Sequence, residues 1–222
     1  MKRIFQILAA LIVTSACVFA DAPDSIQVVQ KTDSQSAINR WVEFGVVLDG
    51  AYGQWNEKLH VDHLSAQQFG FGVSGLVGFD YFALRLSALG KYKAMYVSEG
   101  SQATINEGFW RLGGGVAARF QSGKQKGIWA ELGTAALVSL QDKIALCESK
   151  EQNIYWGIES KVEVPLELSA GYRFALGSVS LETALFGSYD LTSPATFVVN
   201  DRKHEARAWN VGARVILWAV RL

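Results

Sequence analysis

From Trp41 onward, apolar and polar residues alternate with a period of two, the repeat of a strand whose faces meet different surroundings. Eight segments are long enough to be strands. In WVEFGVVLDGAYGQ, Val42, Phe44, Val46, Leu48 and Tyr52 oppose Glu43, Gly45, Asp49 and Gly53. From about Ser65 to Phe79, Phe69, Phe71, Val73, Val77 and Phe79 oppose Gln68, Gly70, Gly72, Ser74 and Gly78. YFALRLSALGKYKAMY sets Phe82, Leu84, Leu86, Tyr92 and Tyr96 against Arg85, Ser87, Lys91 and Lys93. Between Gly108 and Gln121, Trp110, Leu112, Val116 and Phe120 oppose Arg111, Gly113, Gly115 and Arg119. In the fifth segment Ile128, Ala130, Leu132, Val138 and Leu140 face away from Glu131, Gly133, Ser139 and Gln141.

The sixth, KVEVPLELSAGYRF with Ile158 and Glu159 before it, separates Val162, Val164, Leu166, Leu168, Ala170, Tyr172 and Phe174 from Lys161, Glu163, Pro165, Glu167, Ser169, Gly171 and Arg173. Pro165 has no amide to donate to a ladder, so a bulge or local break is expected there. In the seventh, Ser178 to Leu191, Val179, Leu181, Leu185 and Tyr189 oppose Ser180, Glu182, Ser188 and Asp190. The eighth, from about Glu205, alternates Trp209, Val211, Val215 and Leu217 with Asn210, Gly212 and Arg214 until Ile216 and Trp218 make both faces apolar.

Short joins near Asp80, Gln121–Gly127 and Ala175–Gly177 alternate with longer polar ones near Trp55–Leu64, Ser98–Glu107, Asp142–Gly157 and Thr192–His204. An up-and-down meander with its long loops at one end produces this pattern, and an even strand number returns the C-terminus to the short-turn end. The prediction is an all-β fold, an eight-stranded antiparallel up-and-down transmembrane β-barrel over 41–222.

Which face lies outside follows from what the polar faces hold. Their acids are Glu43, Asp49, Glu131, Glu159, Glu163, Glu167, Glu182 and Asp190, and their bases are Arg85, Lys91, Lys93, Arg111, Arg119, Lys161, Arg173 and Arg214. The two signs balance, and most remaining polar-face positions are Gly or Ser, small enough for long charged chains to cross a narrow lumen. Glycine weakens a strand and marks crowding, so a water-facing surface has little use for it. The apolar faces carry rings toward strand ends, among them Tyr52, Phe79, Tyr92, Tyr96, Trp110, Phe120, Tyr172, Phe174, Tyr189 and Trp209, as in the interfacial girdles of membrane barrels. A soluble secreted barrel would need the same strands with the charged face in water and the rings in a core.

Composition narrows the partners. The 222-residue chain has 21 Lys plus Arg against 21 Asp plus Glu, so no net field draws in nucleic acid. MKRIFQILAALIVTSACVFA has the basic start, apolar middle and small-residue end of a secretory signal, with cleavage expected after Ala20. Thr14-Ser15-Ala16-Cys17 offers a lipoprotein box as the alternative. Residues 21–40 read as a flexible lead-in; Asp24–Val29 within it has a faint TonB-box look that the chain's length does not support. With Cys147 the only other cysteine, the exported chain has no internal disulfide. No stretch after residue 20 reaches the ~18 apolar residues of a spanning helix, so any crossing is made by strands.

The chain resembles the small eight-stranded outer-membrane barrels of Gram-negative bacteria, of OmpA/OmpX-type architecture, with GLVGFDYFALRL the most family-like phrase. Such barrels commonly end in an aromatic residue read by the assembly machinery, whereas this chain ends WAVRL. The resemblance implies outer-membrane lipid as surroundings, a single copy as the working state, and envelope or cell-surface contacts through the loops.

Candidate chemistry is sparse. Gly70-Phe71-Gly72-Val73-Ser74-Gly75 spells a dinucleotide fingerprint, but alternation runs through it with no helix to receive a pyrophosphate. His60, His63 and His204 fall in expected outer loops and lack the ligand set of a metal site. His63-Leu64-Ser65 resembles the His-x-Ser of outer-membrane lipid A deacylases, in which the pair comes late in the chain. Glu163 and Glu167 sit among opposing cations, so pairing accounts for them better than acid–base work. No cofactor or metal is expected. An eight-stranded lumen is just wide enough for side chains to fill. A closed barrel is therefore expected, with a narrow ion or small-solute pore as the alternative and a lipid-modifying enzyme as a third.

Overall fold

The computed structural model describes residues 40–55, 63–79, 81–99, 102–123, 126–140, 144–148, 153–157, 162–193, 195–199 and 202–221. Among them there is no helix. Thirteen strands follow in order: β1 (Arg40–Trp55), β2 (His63–Phe79), β3 (Phe82–Glu99), β4 (Gln102–Gln121), β5 (Gly127–Ser139), β6 (Ile144–Glu148), β7 (Asn153–Gly157), β8 (Val162–Glu163), β9 (Pro165–Leu176), β10 (Val179–Asp190), β11 (Ala195–Val199), β12 (Arg202–Ala206) and β13 (Ala208–Arg221).

The wall is a closed, eight-stranded antiparallel barrel. Its order is β4-β3-β2-β1-β13-β10-β9-β5, and pairing of β4 with β5 closes it. β8 and β9 together supply the sixth staved position, since both pair with β5. Three short connections lie at one end, between β2 and β3, β4 and β5, and β9 and β10. The last is the two-residue turn Gly177-Ser178, where a φ of +69° at Gly177 calls for a residue without Cβ.

Three expected loops are largely strand. β3 and β4 run on past Ser98 until Glu99 pairs with Gln102, so the loop placed at Ser98–Glu107 is a ladder to its tip. The joins expected at Asp142–Gly157 and Thr192–His204 contain hairpins β6–β7 and β11–β12, and β7 pairs with β11 to make one sheet of order β12-β11-β7-β6. Short hairpins bury too little to be stable alone, so edge-to-edge pairing is what holds these two together. Of the histidines placed in loops, His63 opens β2 and His204 lies within β12, while His60 is outside the described residues.

At Pro165 the sixth staved position breaks as its chemistry requires. Val164 falls between β8 and β9, and Ala135 and Ala136 of β5, paired with β4 on one side, have no register partner on the β8–β9 side. Register is nevertheless kept across the gap, because Thr134 pairs with Leu166 on one side and Leu137 with Glu163 on the other. This is an interruption without an inserted residue, not a bulge. Both polar backbone groups of Val164 turn toward β10, its N–H to Thr192 Oγ1 at 3.1 Å and its C=O to the Leu191 N–H at 2.8 Å. Pro165 therefore presents its donor-less side to β5, and Thr134 Oγ1 donates to its carbonyl at 2.9 Å.

Candidate functional site: the lumen

Alternation sends every second side chain inward, and the barrel leaves those side chains little room. Phe44, Val46, Leu48, Phe69, Phe71, Val73, Leu84, Leu86, Leu112, Leu132, Leu168, Leu185 and Val211 are exposed on the outer wall. The charged positions of the same strands point inward. Glu43, Asp49, Arg85, Lys91, Lys93, Arg111, Arg119, Glu131, Glu163, Arg173, Glu182, Asp190 and Arg214 are buried, and Glu167 is nearly so. Glu159 and Lys161 lie outside the described residues.

Ten of these charges form one chain of alternating sign. It begins at Glu43 near the short-turn end, where Arg173 reaches across the lumen to it, and Arg173 Nε also donates to Glu182 at 2.7 Å. Arg119 forks onto both oxygens of Glu182 at 2.8 and 2.7 Å while its Nε donates to Glu131 at 2.7 Å. Arg85 meets Glu131 at 3.0 Å and Glu167 at 3.8 Å. Arg214 then holds Glu167 at 2.6 and 2.8 Å and Asp49 at 3.3 Å, and Asp49 faces Lys91 at 3.7 Å. Every internal member of the series touches two charges of the opposite sign. A second group sits nearer the long-loop end, where Lys93 bridges Asp190 at 2.7 Å and Glu163 at 3.2 Å, and Glu163 also pairs with Arg111. Glu163 and Glu167, neighbours on one strand face, thus belong to different groups. Each group is neutral, as burial in a low-dielectric interior demands.

Hydroxyls fill in between. Ser74 and Ser87 bond each other at 2.7 Å, and Ser87 Oγ accepts from Arg85 Nη1 at 2.9 Å.

The lumen also holds aromatic rings that were not among the expected inward residues. Arg119 lies over Trp129 at 4.0 Å, Arg111 over Phe109 at 4.3 Å, Arg214 over Phe186 at 4.8 Å and Lys93 over Trp55 at 5.0 Å. Arg173 sits between Trp218 and Trp41, at 5.6 and 5.7 Å. Each of these cations has a carboxylate on one side and a π face on another. With Val47, Leu76, Ala83 and Ile216, Trp41 and Trp218 form an apolar cluster inside the short-turn end. Ile216 and Trp218, which made both faces of the last segment look apolar, are inward, and Leu217 between them is exposed. Strand phase is the signal that finds these rings: Trp41 and Trp55 share parity with Glu43 and Asp49, Phe109 with Arg111, Trp129 with Glu131, Phe186 with Glu182, and Trp218 with Arg214.

Two glycines make room for the indoles. A Cβ on Gly78 would overlap the Trp41 ring, and one on Gly45 would stand 2.8 Å from Trp218 Cε3. Within the fingerprint-like run, Gly70 leaves room for Asp49, and β2 continues through Gly75 to Phe79 without opening a helix.

No family model matches the chain, and no curated protein matches it either. The site is therefore read from its own chemistry. Paired carboxylates, guanidinium forks and stacked rings occupy the volume that a channel would need, and a residual cavity beside Arg85, Lys91, Glu167 and Arg214 is about 20 Å³. That is room for about one water molecule. Among the described residues, no three His, Cys, Asp or Glu side chains converge as a metal site. His63 and Ser65 both lie on β2.

Proposed function

We propose that this chain is a non-enzymatic outer-membrane barrel protein whose lumen is a charge-paired plug. Its contacts with envelope or cell-surface partners are made by the loops and the β6–β7–β11–β12 sheet. The outer wall supports this reading most directly. Among the residues whose exposure is described, the exposed positions of the barrel strands carry no charge; the exposed charged residues, Lys126 and Glu205, lie in a turn and in β12. A monomeric protein in water does not leave such a continuous apolar band around its girth. In a bilayer the same band is the low-energy surface, and closure leaves no unpaired strand edge in hydrocarbon. The first twenty residues, read as an export signal, are in keeping with that destination.

Two measurements test the reading. Folded protein in detergent should run faster on a gel unheated than boiled, and intact cells should protect the strands from added protease while exposing the loops. A soluble, periplasmic product with no heat-dependent mobility would remove the membrane assignment. In planar bilayers the protein should give no stable large conductance; well-defined open channels would favour the narrow-pore alternative.

A further inference from the structure

The outer wall has a hollow over the break in the barrel's ladder. It is a groove of about 590 Å³ lined by Leu86, Ala88, Gly114, Val116, Ala136 and Val164, with Ser87, Gly115, Thr134 and Ala135 completing its floor. Ala88, Gly114 and Ala136 are register partners across β3, β4 and β5, so the hollow runs across strands at one level. It ends at Val164, the residue that leaves the ladder before Pro165.

Backbone crowding does not dictate the small residue at Gly114. A Cβ built there meets only the Ser87 carbonyl at 3.4 Å, an ordinary contact, in contrast to Gly113, where a side chain would strike the β5 backbone. The wall has space for a larger residue at 114 and leaves it unfilled. The side-chain hydroxyls of the floor are already committed. Thr134 Oγ1 donates to the Pro165 carbonyl, and Ser87 Oγ bonds Ser74 and Arg85. The hollow therefore offers no free hydroxyl to a polar headgroup. Apolar contact is what it supplies, and behind it the small polar cavity of the lumen shares Ser87, Gly115, Val116, Thr134 and Ala135 with it.

We propose that this groove is a binding site for one hydrocarbon chain of a membrane lipid, which lies across β3–β5 and seals the wall where the β5 ladder is interrupted. This rests on the reading that the outer wall stands in a bilayer. Lipid tails supply no hydrophobic driving force against an apolar wall, so preference for the groove comes from packing: a chain lying in it touches atoms on several sides, where a chain on the convex wall touches them on one.

The test is photolabelling in bilayer vesicles of phosphatidylcholine doped with a phospholipid carrying a diazirine in its acyl chain, with the adducts located by peptide mass spectrometry. Labelling at Ala88, Gly114 and Ala136 should exceed labelling at Leu185 and Val211 on the far wall by about threefold to tenfold, the scale of on the order of ten extra carbon contacts. Gly114→Leu should abolish the excess and leave far-wall labelling and heat-dependent gel mobility unchanged; Ala88→Leu serves the same purpose if Gly114→Leu does not fold. Uniform labelling around the wall would overturn the site and leave the membrane assignment standing. Labelling of the far wall with none in the groove, together with a dimer mass in detergent solution, would overturn it in favour of self-association through this face. Absence of labelling anywhere on the wall would remove the membrane assignment and the site together.

Discussion

Arg119 shows how one buried charge is accommodated. Its guanidinium forks onto Glu182, its Nε reaches Glu131, and its plane rests on Trp129. Lysine has the charge without the planar fork, so Arg119→Lys should lower stability despite conserving sign. Glu182→Gln should cost more, because it leaves Arg119 and Arg173 facing each other with one carboxylate removed. Loss of a partner from a buried pair costs about 3–5 kcal/mol, to be read from urea-dependent unfolding of the folded protein in detergent micelles. Trp129→Ala should cost about the same by opening a cavity against the wall, and should do so without leaving an unpaired charge. A loss from Glu182→Gln no larger than that of exposed Glu205→Gln would show that the lumenal pairs are not buried as described.

The sixth staved position has a weak point because a proline sits where a donor is needed. Pro165→Ala would present an N–H toward Ala135 and restore the missing step of the ladder. Amide exchange at Ala135 should then slow by about fivefold to tenfold, the worth of one ordinary hydrogen bond, while exchange elsewhere in β5, including Ala136 on the β4 side, stays the same. The loop sheet depends on a different kind of support. β11 pairs with β12 on one side and β7 on the other, so deletion of Ile144–Gly157 strips β11 of a neighbour. Limited proteolysis should cut the β11–β12 hairpin faster in that deletion, with the heat-dependent gel shift of the barrel unchanged.

For the molecule as a whole, charge balance and closure act together. The fourteen described lumenal charges are seven acids and seven bases, arranged as two neutral groups inside a wall that shows no exposed charge among the residues whose exposure is described. Arg85 and Arg214 border the residual cavity. Shortening both to Ala should enlarge it and unseat Glu167, so ion conductance in planar bilayers should appear in the double variant where the unchanged protein shows none. A silent double variant would mean that the rest of the plug closes the lumen without these two residues.

Period-two alternation by itself determined the all-β class, the inward phase of each strand and the proline break, because each depends on neighbours in sequence and on a residue's own chemistry. Trp41, Trp129 and Trp218 were not expected inside, although their phase matches that of the inward charges on the same strands. The partners of the charges were decided by tertiary structure alone. Arg214 and Asp49 are 165 positions apart, and Arg173 and Glu43 130 apart, so only barrel closure and strand stagger bring them together. Joining of the two hairpins into one sheet was likewise beyond the sequence, since a short polar segment becomes a strand when another edge stands beside it. Alternation told which side chains share a face; closure of the wall decided which of them touch.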